Sequence, residues 1–297
     1  MTHRKWDVGW LRRGAIRLRY GWMRSGGGQG IAVLLPGRTE FLEKYEETGE
    51  ALAARGFDVL CVDWRGQGLS SRPLENDHKG HIDTFDTYVG DLGSILLHTG
   101  VTAYHGRRIL LAHSMAGLIA SLFSLQRVDY FERVVVTGPL WGVPLMVPEV
   151  AMLATARSAV ALGIGSHYVS AGDYGPHSVV FSDNIVTRDE RRWQRACDYV
   201  SRNPALALGG FTWGWLAAAL SSIRQARAQA HRITAPWLVV QAGADKVVDN
   251  DDIADFAHAM PGAQLCSLEG AEHEILMETD EVLARFWDAF DGFVGVG

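Results

Sequence analysis

The chain has 297 residues, of which 47% are hydrophobic and 21% charged, with a formal net charge of −6. That is the make-up of a globular protein with a large core, and its acidic balance argues against a general nucleic-acid binder. No run approaches the roughly 20 apolar residues that a membrane-spanning helix needs.

Met1 to Asp7 carry charge without an apolar run behind it, so they do not read as a secretory signal. With three cysteines (Cys61, Cys197 and Cys266), a reducing cytoplasm is the simplest expected location. Residues 15–23 alternate Ile16, Leu18 and Tyr20 with Arg17 and Arg19, which predicts a strand whose arginines face solvent. Arg4, Lys5, Arg12, Arg13 and Arg24 add to this basic N-terminus, against Asp7 alone. A solvated edge-strand face is the plain account of these charges. Peripheral contact with an anionic membrane surface is the alternative. The glycines at 26–28 form a turn, and 31–35 is an apolar strand ending at Pro36-Gly37. Early acidic residues and a closing Arg55-Gly56 predict a helix over 39–55. A strand at 59–63 runs into Trp64-Arg65-Gly66-Gln67-Gly68-Leu69-Ser70, which reads as a tight loop. No third glycine opens a helix there, so a dinucleotide fingerprint is set aside. His78 and His81 lie in a polar loop without companion ligands, so no metal site is expected.

Residues 84–104 place Phe85, Tyr88, Leu92, Ile95 and Leu96 on one helical face. Strand-like segments at 108–111 and 134–136 follow, the second ending at Gly138-Pro139. Cys61 and Cys266 fall inside strand-like runs and are expected to be buried small hydrophobes. Strands alternating with helices predict an α/β fold, with a mostly parallel sheet covered on both faces. Between Pro139 and Ile233 the alternation stops. Helical segments at 149–162, 189–201 and 212–230 predict a helical cap at 140–232, inserted after the sixth strand into a core made of 1–139 and 233–297. Trp141, Phe211, Trp213 and Trp215 are its candidate substrate-binding residues. Phe211, Trp215 and Ala219 share a helical spacing, and that face either packs on the core or lines a tunnel for the substrate.

The most informative stretch is Ala112-His113-Ser114-Met115-Ala116-Gly117, with a strand-like run before it and a helix-like run after it. A serine on a sharp strand-to-helix turn between small residues is the context of a nucleophile elbow. A helix N-cap is the plainer reading of the same serine. Serine needs a histidine to take its proton and an acid to orient that histidine, and the elbow architecture expects the chain order Ser, Asp or Glu, His. Asp245 follows the strand-like run 237–241, and His273 follows the run 264–268. Asp249 and Asp251 compete with Asp245 for the role of acid. The loop after residues 31–35 and the N–H of Met115 are where such a fold builds its oxyanion hole.

Four blocks carry a family resemblance: Pro36-Gly37-Arg38-Thr39-Glu40-Phe41, Asp63-Trp64-Arg65-Gly66-Gln67-Gly68-Leu69-Ser70, His113-Ser114-Met115-Ala116-Gly117 and His273-Glu274-Ile275-Leu276. With the acid loop at 244–249 and the segments 203–206 and 212–215, the chain resembles α/β-hydrolases, specifically bacterial lysophospholipases and monoacylglycerol lipases. The resemblance implies Ser114 as nucleophile, Asp245 as acid and His273 as base. It also implies an oxyanion hole of the Arg38 and Met115 N–H groups, a monoacyl lipid as substrate and no cofactor. Relatives carry glycine where Ala112 and Ala116 stand. The alternatives are a small-molecule carboxylesterase, thioesterase or lactonase and, from another class, a silent ligand-binding protein.

Overall fold

The computed structural model describes residues 5–175, 178 and 180–296. Strands β1 (Asp7–Arg13), β2 (Ile16–Met23), β3 (Gly30–Leu35), β4 (Phe57–Val62), β5 (Arg108–His113), β6 (Arg133–Thr137), β7 (Trp237–Ala242) and β8 (Ala263–Leu268) form one sheet. Their spatial order is β1-β2-β4-β3-β5-β6-β7-β8, antiparallel at β1/β2 and β2/β4 and parallel elsewhere. Every residue of β3 is buried, as a central strand covered on both faces requires. The period-two alternation divides the core. Ala32, Leu34, Ile109 and Leu111 face one apolar cluster, and Val33, Leu35, Leu110 and Ala112 face the other.

Eight α-helices are described: α1 (Glu46–Ala54), α2 (Phe85–His98), α3 (Met115–Gln126), α4 (Glu149–Ala161), α5 (Glu190–Arg202), α6 (Trp213–Gln229), α7 (Asn250–Ala259) and α8 (Asp280–Val294). α1 and α8 cover the first cluster; α2, α3, α6 and α7 cover the second. Between β6 and β7 lie α4, α5 and α6. α6 is rich in alanine, and its buried Leu216, Leu220, Ile223 and Ala226 belong to the main core. α5 differs, since Arg192 is the one residue it buries. No helix among the described residues is long and apolar enough to cross a membrane.

Several expectations are corrected. β1 was not foreseen; it pairs with β2 through a tight turn at Gly14, whose φ of +60° suits glycine. Arg19 does not face solvent. It is 3% exposed, its Nε donating to Asp63 at 2.6 Å and its two terminal nitrogens to Glu43. Arg17 lies over the Trp10 ring and Arg24 over Trp22, while Arg4 is outside the described residues. The helix expected over 39–55 begins with a 3-10 turn at Leu42–Tyr45, because Thr39 takes a positive φ of 66°. That expected over 84–104 ends at His98, where Gly100 turns the chain at φ +80°. α7 and α8 were not anticipated. Cys61 is fully buried, but Cys266 on edge strand β8 is only part-buried.

Candidate active site

Ser114 stands between the last residue of β5 and the first of α3, with φ 53° and ψ −117°. A non-glycine residue held there costs about 1–3 kcal/mol, so surrounding structure must impose it. Its N–H donates to Thr137 O at 2.9 Å, and its carbonyl accepts from Gly117 N at 2.8 Å and Leu140 N at 3.0 Å. Ala112 and Ala116 are wholly buried. The tightest approach falls at Gly117, where a Cβ would lie 2.6 Å from Pro139 Cβ.

The loops after β7 and β8 bring two more groups to this turn. His273 Nε2 lies 2.9 Å from Ser114 Oγ, and its Nδ1 lies 2.7 Å from Asp245 Oδ2. The other Asp245 oxygen accepts from Val247 N at 2.8 Å and Val248 N at 3.1 Å. Burial pushes this carboxyl up, but His273 and the two N–H groups outweigh burial and leave it below its usual value. Asp249 is occupied otherwise: it caps α7, accepting from Asp251 N at 2.9 Å and Asp252 N at 3.3 Å. His113, beside the serine, is drawn down to about 4 by burial and stays neutral. Its Nδ1 is 3.0 Å from Thr137 O, and its ring centroid is 4.9 Å from that of His273.

The loop after β3 closes on the serine, since a Cβ on Gly37 would lie 3.2 Å from Ser114 Cβ. Glu40 holds this loop through the Gly37 N–H and accepts from Tyr45 OH at 2.6 Å. Lys44 Nζ sits 2.9 Å from Glu40 and 2.7 Å from Glu274, the residue after His273. Burial opposes the charge on Glu40, yet the Lys44 ammonium, with hydrogen bonds from Tyr45 and Lys44, overcomes it and pulls the carboxyl down to about 2. A second brace comes from the loop after β4. Gln67 Oε1 accepts from Thr39 N at 2.6 Å, and Trp64 Nε1 donates to Pro36 O at 2.7 Å. Asp63 accepts from Leu42 N at 2.9 Å and Leu69 N at 2.8 Å. Gly68 is required there, because a Cβ would lie 2.1 Å from the Asp63 carboxylate.

Glu40, Lys44, Tyr45 and Glu274 were missed by sequence reasoning. The four-residue spacing of Glu40 and Lys44 is a local signal. The tie to Glu274 spans 230 residues and leaves no local trace.

A cavity of about 410 Å³ is lined by Ser114, His273, Arg38 and Met115. Leu140, Val143, Leu145, Met152, Phe211, Trp215 and Leu216 supply its largely apolar remainder. Met115 opens α3, where an N–H has no intrahelical acceptor. The Arg38 guanidinium lies 5.5 Å from the Phe211 ring centroid and 5.7 Å from that of Trp215, and burial pulls it down to about 10.

Two of the four expected aromatic residues do not line this cavity. Trp141 is fully buried, stacked on Phe256 with centroids 4.1 Å apart, its Nε1 donating to Ser121 Oγ at 3.0 Å. Trp213 is part-buried at the start of α6, its N–H donating to His167 O at 3.0 Å. Both are apolar residues used for packing, which composition alone does not separate from ligand contact.

Comparison with known proteins agrees with this architecture. The model of the family described as serine aminopeptidase, S33, matches residues 28–280. Lysophospholipase L2 of Escherichia coli is 31% identical over 266 residues, covering 84% of this chain and 76% of that protein. The probable lysophospholipase L2 of Haemophilus influenzae is 30% identical, covering 90% of this chain and 84% of the relative. A monoacylglycerol lipase from Paleococcus ferrophilus superposes with a TM-score of 0.74 at 20% identity, over 94% of this chain and 99% of its own.

Proposed function

The chain belongs to the serine aminopeptidase S33 family of α/β-hydrolases, and from that premise we propose that this carboxylic ester hydrolase cleaves the single acyl ester of a lysophospholipid or monoacylglycerol. Ser114 attacks the ester carbonyl while His273 Nε2 takes its proton. Asp245 holds the histidine in the tautomer that leaves Nε2 free to accept. The N–H groups of Arg38 and Met115 receive the oxyanion, and two such fixed donors act chiefly on the transition state. Protonated His273 then gives its proton to the leaving alcohol. Water, activated by the same histidine, releases the fatty acid from the acyl-enzyme.

The observation that carries this reading is the apolar cavity opening beside an aligned Ser–His–Asp set. A short ester needs no such walls. The names of the relatives, lysophospholipase and monoacylglycerol lipase, point the same way. The silent-binder alternative leaves the strained serine without a purpose.

The test is hydrolysis of lysophospholipids, monoacylglycerols and chromogenic esters of graded chain length, each below its micelle concentration. The expected result is kcat/KM that climbs with chain length until the cavity is full. A preference for acetyl or propionyl esters would make this a small-molecule carboxylesterase. Ser114→Ala should lose hydrolysis to near background while keeping the wild-type Tm.

A further inference from the structure

Beside the cavity at Ser114 lies a second one, of about 280 Å³. Thr39, Val186 and Glu274 line both. The walls differ in kind. The first is lined mainly by aliphatic and aromatic side chains; the second combines the rings of Phe41, Tyr174 and Trp193 with aliphatic residues such as Val200 and Leu206 and with Lys44, Arg192 and Glu274.

Two cations also reach the second cavity, but neither is free. Lys44 is held between Glu40 and Glu274, so two carboxylates face one ammonium. Arg192 is engaged by Glu47, with its Nε 2.9 Å from one oxygen, by Asp189 at 2.7 Å and by Asp280 at 2.6 Å. A bare anion therefore finds no unengaged lysine or arginine among these walls. With both cations engaged by carboxylates, what the walls offer a ligand is the aromatic faces of Phe41, Tyr174 and Trp193 and the Glu274 carboxylate.

The geometry points to the second cavity as the seat of an ammonium-bearing headgroup, the choline or ethanolamine end of a lysophospholipid. This rests on the monoacyl-lipid reading above. A monoacyl lipid carries its ester between an apolar chain and a polar head. Its hydrolase gains from two differently built compartments on either side of the nucleophile. A quaternary ammonium has no hydrogen to donate, and aromatic faces with nearby negative charge are what hold it. Trp193 is well placed to do so. It projects from α5, which Arg192 and Arg195 fasten to Glu47 of α1, and it meets the Phe181 ring at a centroid distance of 5.4 Å. The aliphatic residues of the first cavity then take the acyl chain, and Thr39, Val186 and Glu274 mark the boundary between chain and head.

The experiment measures kcat/KM of the full chain on lysophosphatidylcholine, lysophosphatidylglycerol and monoacylglycerol of one acyl length, below their micelle concentrations. Wild type is expected to favour the choline head over the glycerol head. Trp193→Ala should lower the ratio of lysophosphatidylcholine to monoacylglycerol by roughly threefold to thirtyfold, and Trp193→Phe, which keeps an aromatic face, should retain most of it. Tyr174→Leu should shift the ratio in the same direction. A ratio unchanged in Trp193→Ala, with lysophospholipid still hydrolysed, overturns the headgroup assignment and leaves the monoacyl-lipid reading standing. A Trp193→Ala loss of the same size on all three lipids does the same. Wild type that cleaves none of the three lipids overturns both.

Discussion

The strand-end apparatus and the segment inserted between β6 and β7 are held by different forces. Ser114, Asp245 and His273 each sit within a few residues of a strand's end, fixed by backbone hydrogen bonds and buried charge. The inserted segment has apolar packing at α6 and ion pairs at α5. An exposed α5 pair such as Arg191–Asp280 contributes about 0–1 kcal/mol and weakens in salt, whereas a buried, backbone-bonded carboxylate is barely screened. On the proposed function, the first region sets the reaction and tolerates little change, while the second sets what is bound and can vary.

Breaking the first region should give the largest effects. Asp245→Asn keeps the shape but leaves His273 in the wrong tautomer, so kcat should fall on the order of 10⁴-fold in steady-state assays. Lys44→Met leaves Glu40 and Glu274 buried without their shared ammonium. Denaturant titration should show a loss of about 3–5 kcal/mol.

The same cluster sets acid behaviour. The Glu40 carboxyl is depressed from 4.5 to about 2, so its contribution is complete above the unfolded value and is lost as pH falls between them. The acid limb of Tm against pH should therefore be shallower in Glu40→Gln than in wild type. The second region should respond more gently. Trp215→Ala should flatten a chain-length dependence of up to about fourfold per methylene, measured as kcat/KM across the acyl series. Asp249→Asn should have the smallest effect, because asparagine caps a helix nearly as well: less than about 0.5 kcal/mol in denaturant titration, with turnover within about twofold.

The parts legible in the sequence were those written in short local patterns. The strand-turn-helix around Ser114 and the strand-then-loop contexts of Asp245 and His273 each occupy fewer than about ten residues, and the chain order Ser, Asp, His links them. The parallel sheet followed from alternating apolar runs. What stayed hidden depends on distant partners. Arg19 alternates with apolar neighbours as a solvent-facing residue would, yet Asp63 and Glu43 draw it inside. β1 is an edge strand whose Val8 is exposed, so its pattern lacks a buried face. Trp141 and Trp215 are chemically alike, and only the fold stacks one on Phe256 and sets the other beside the cavity.

If Ser114 is the activated nucleophile, covalent labelling will find it. The folded chain would be treated with a fluorophosphonate, digested, and its adduct located by mass spectrometry. One adduct per chain is expected, on Ser114, with labelling lost in Ser114→Ala and strongly slowed in Asp245→Asn. An adduct on another serine, or no reaction in a folded chain that still hydrolyses esters, would contradict it.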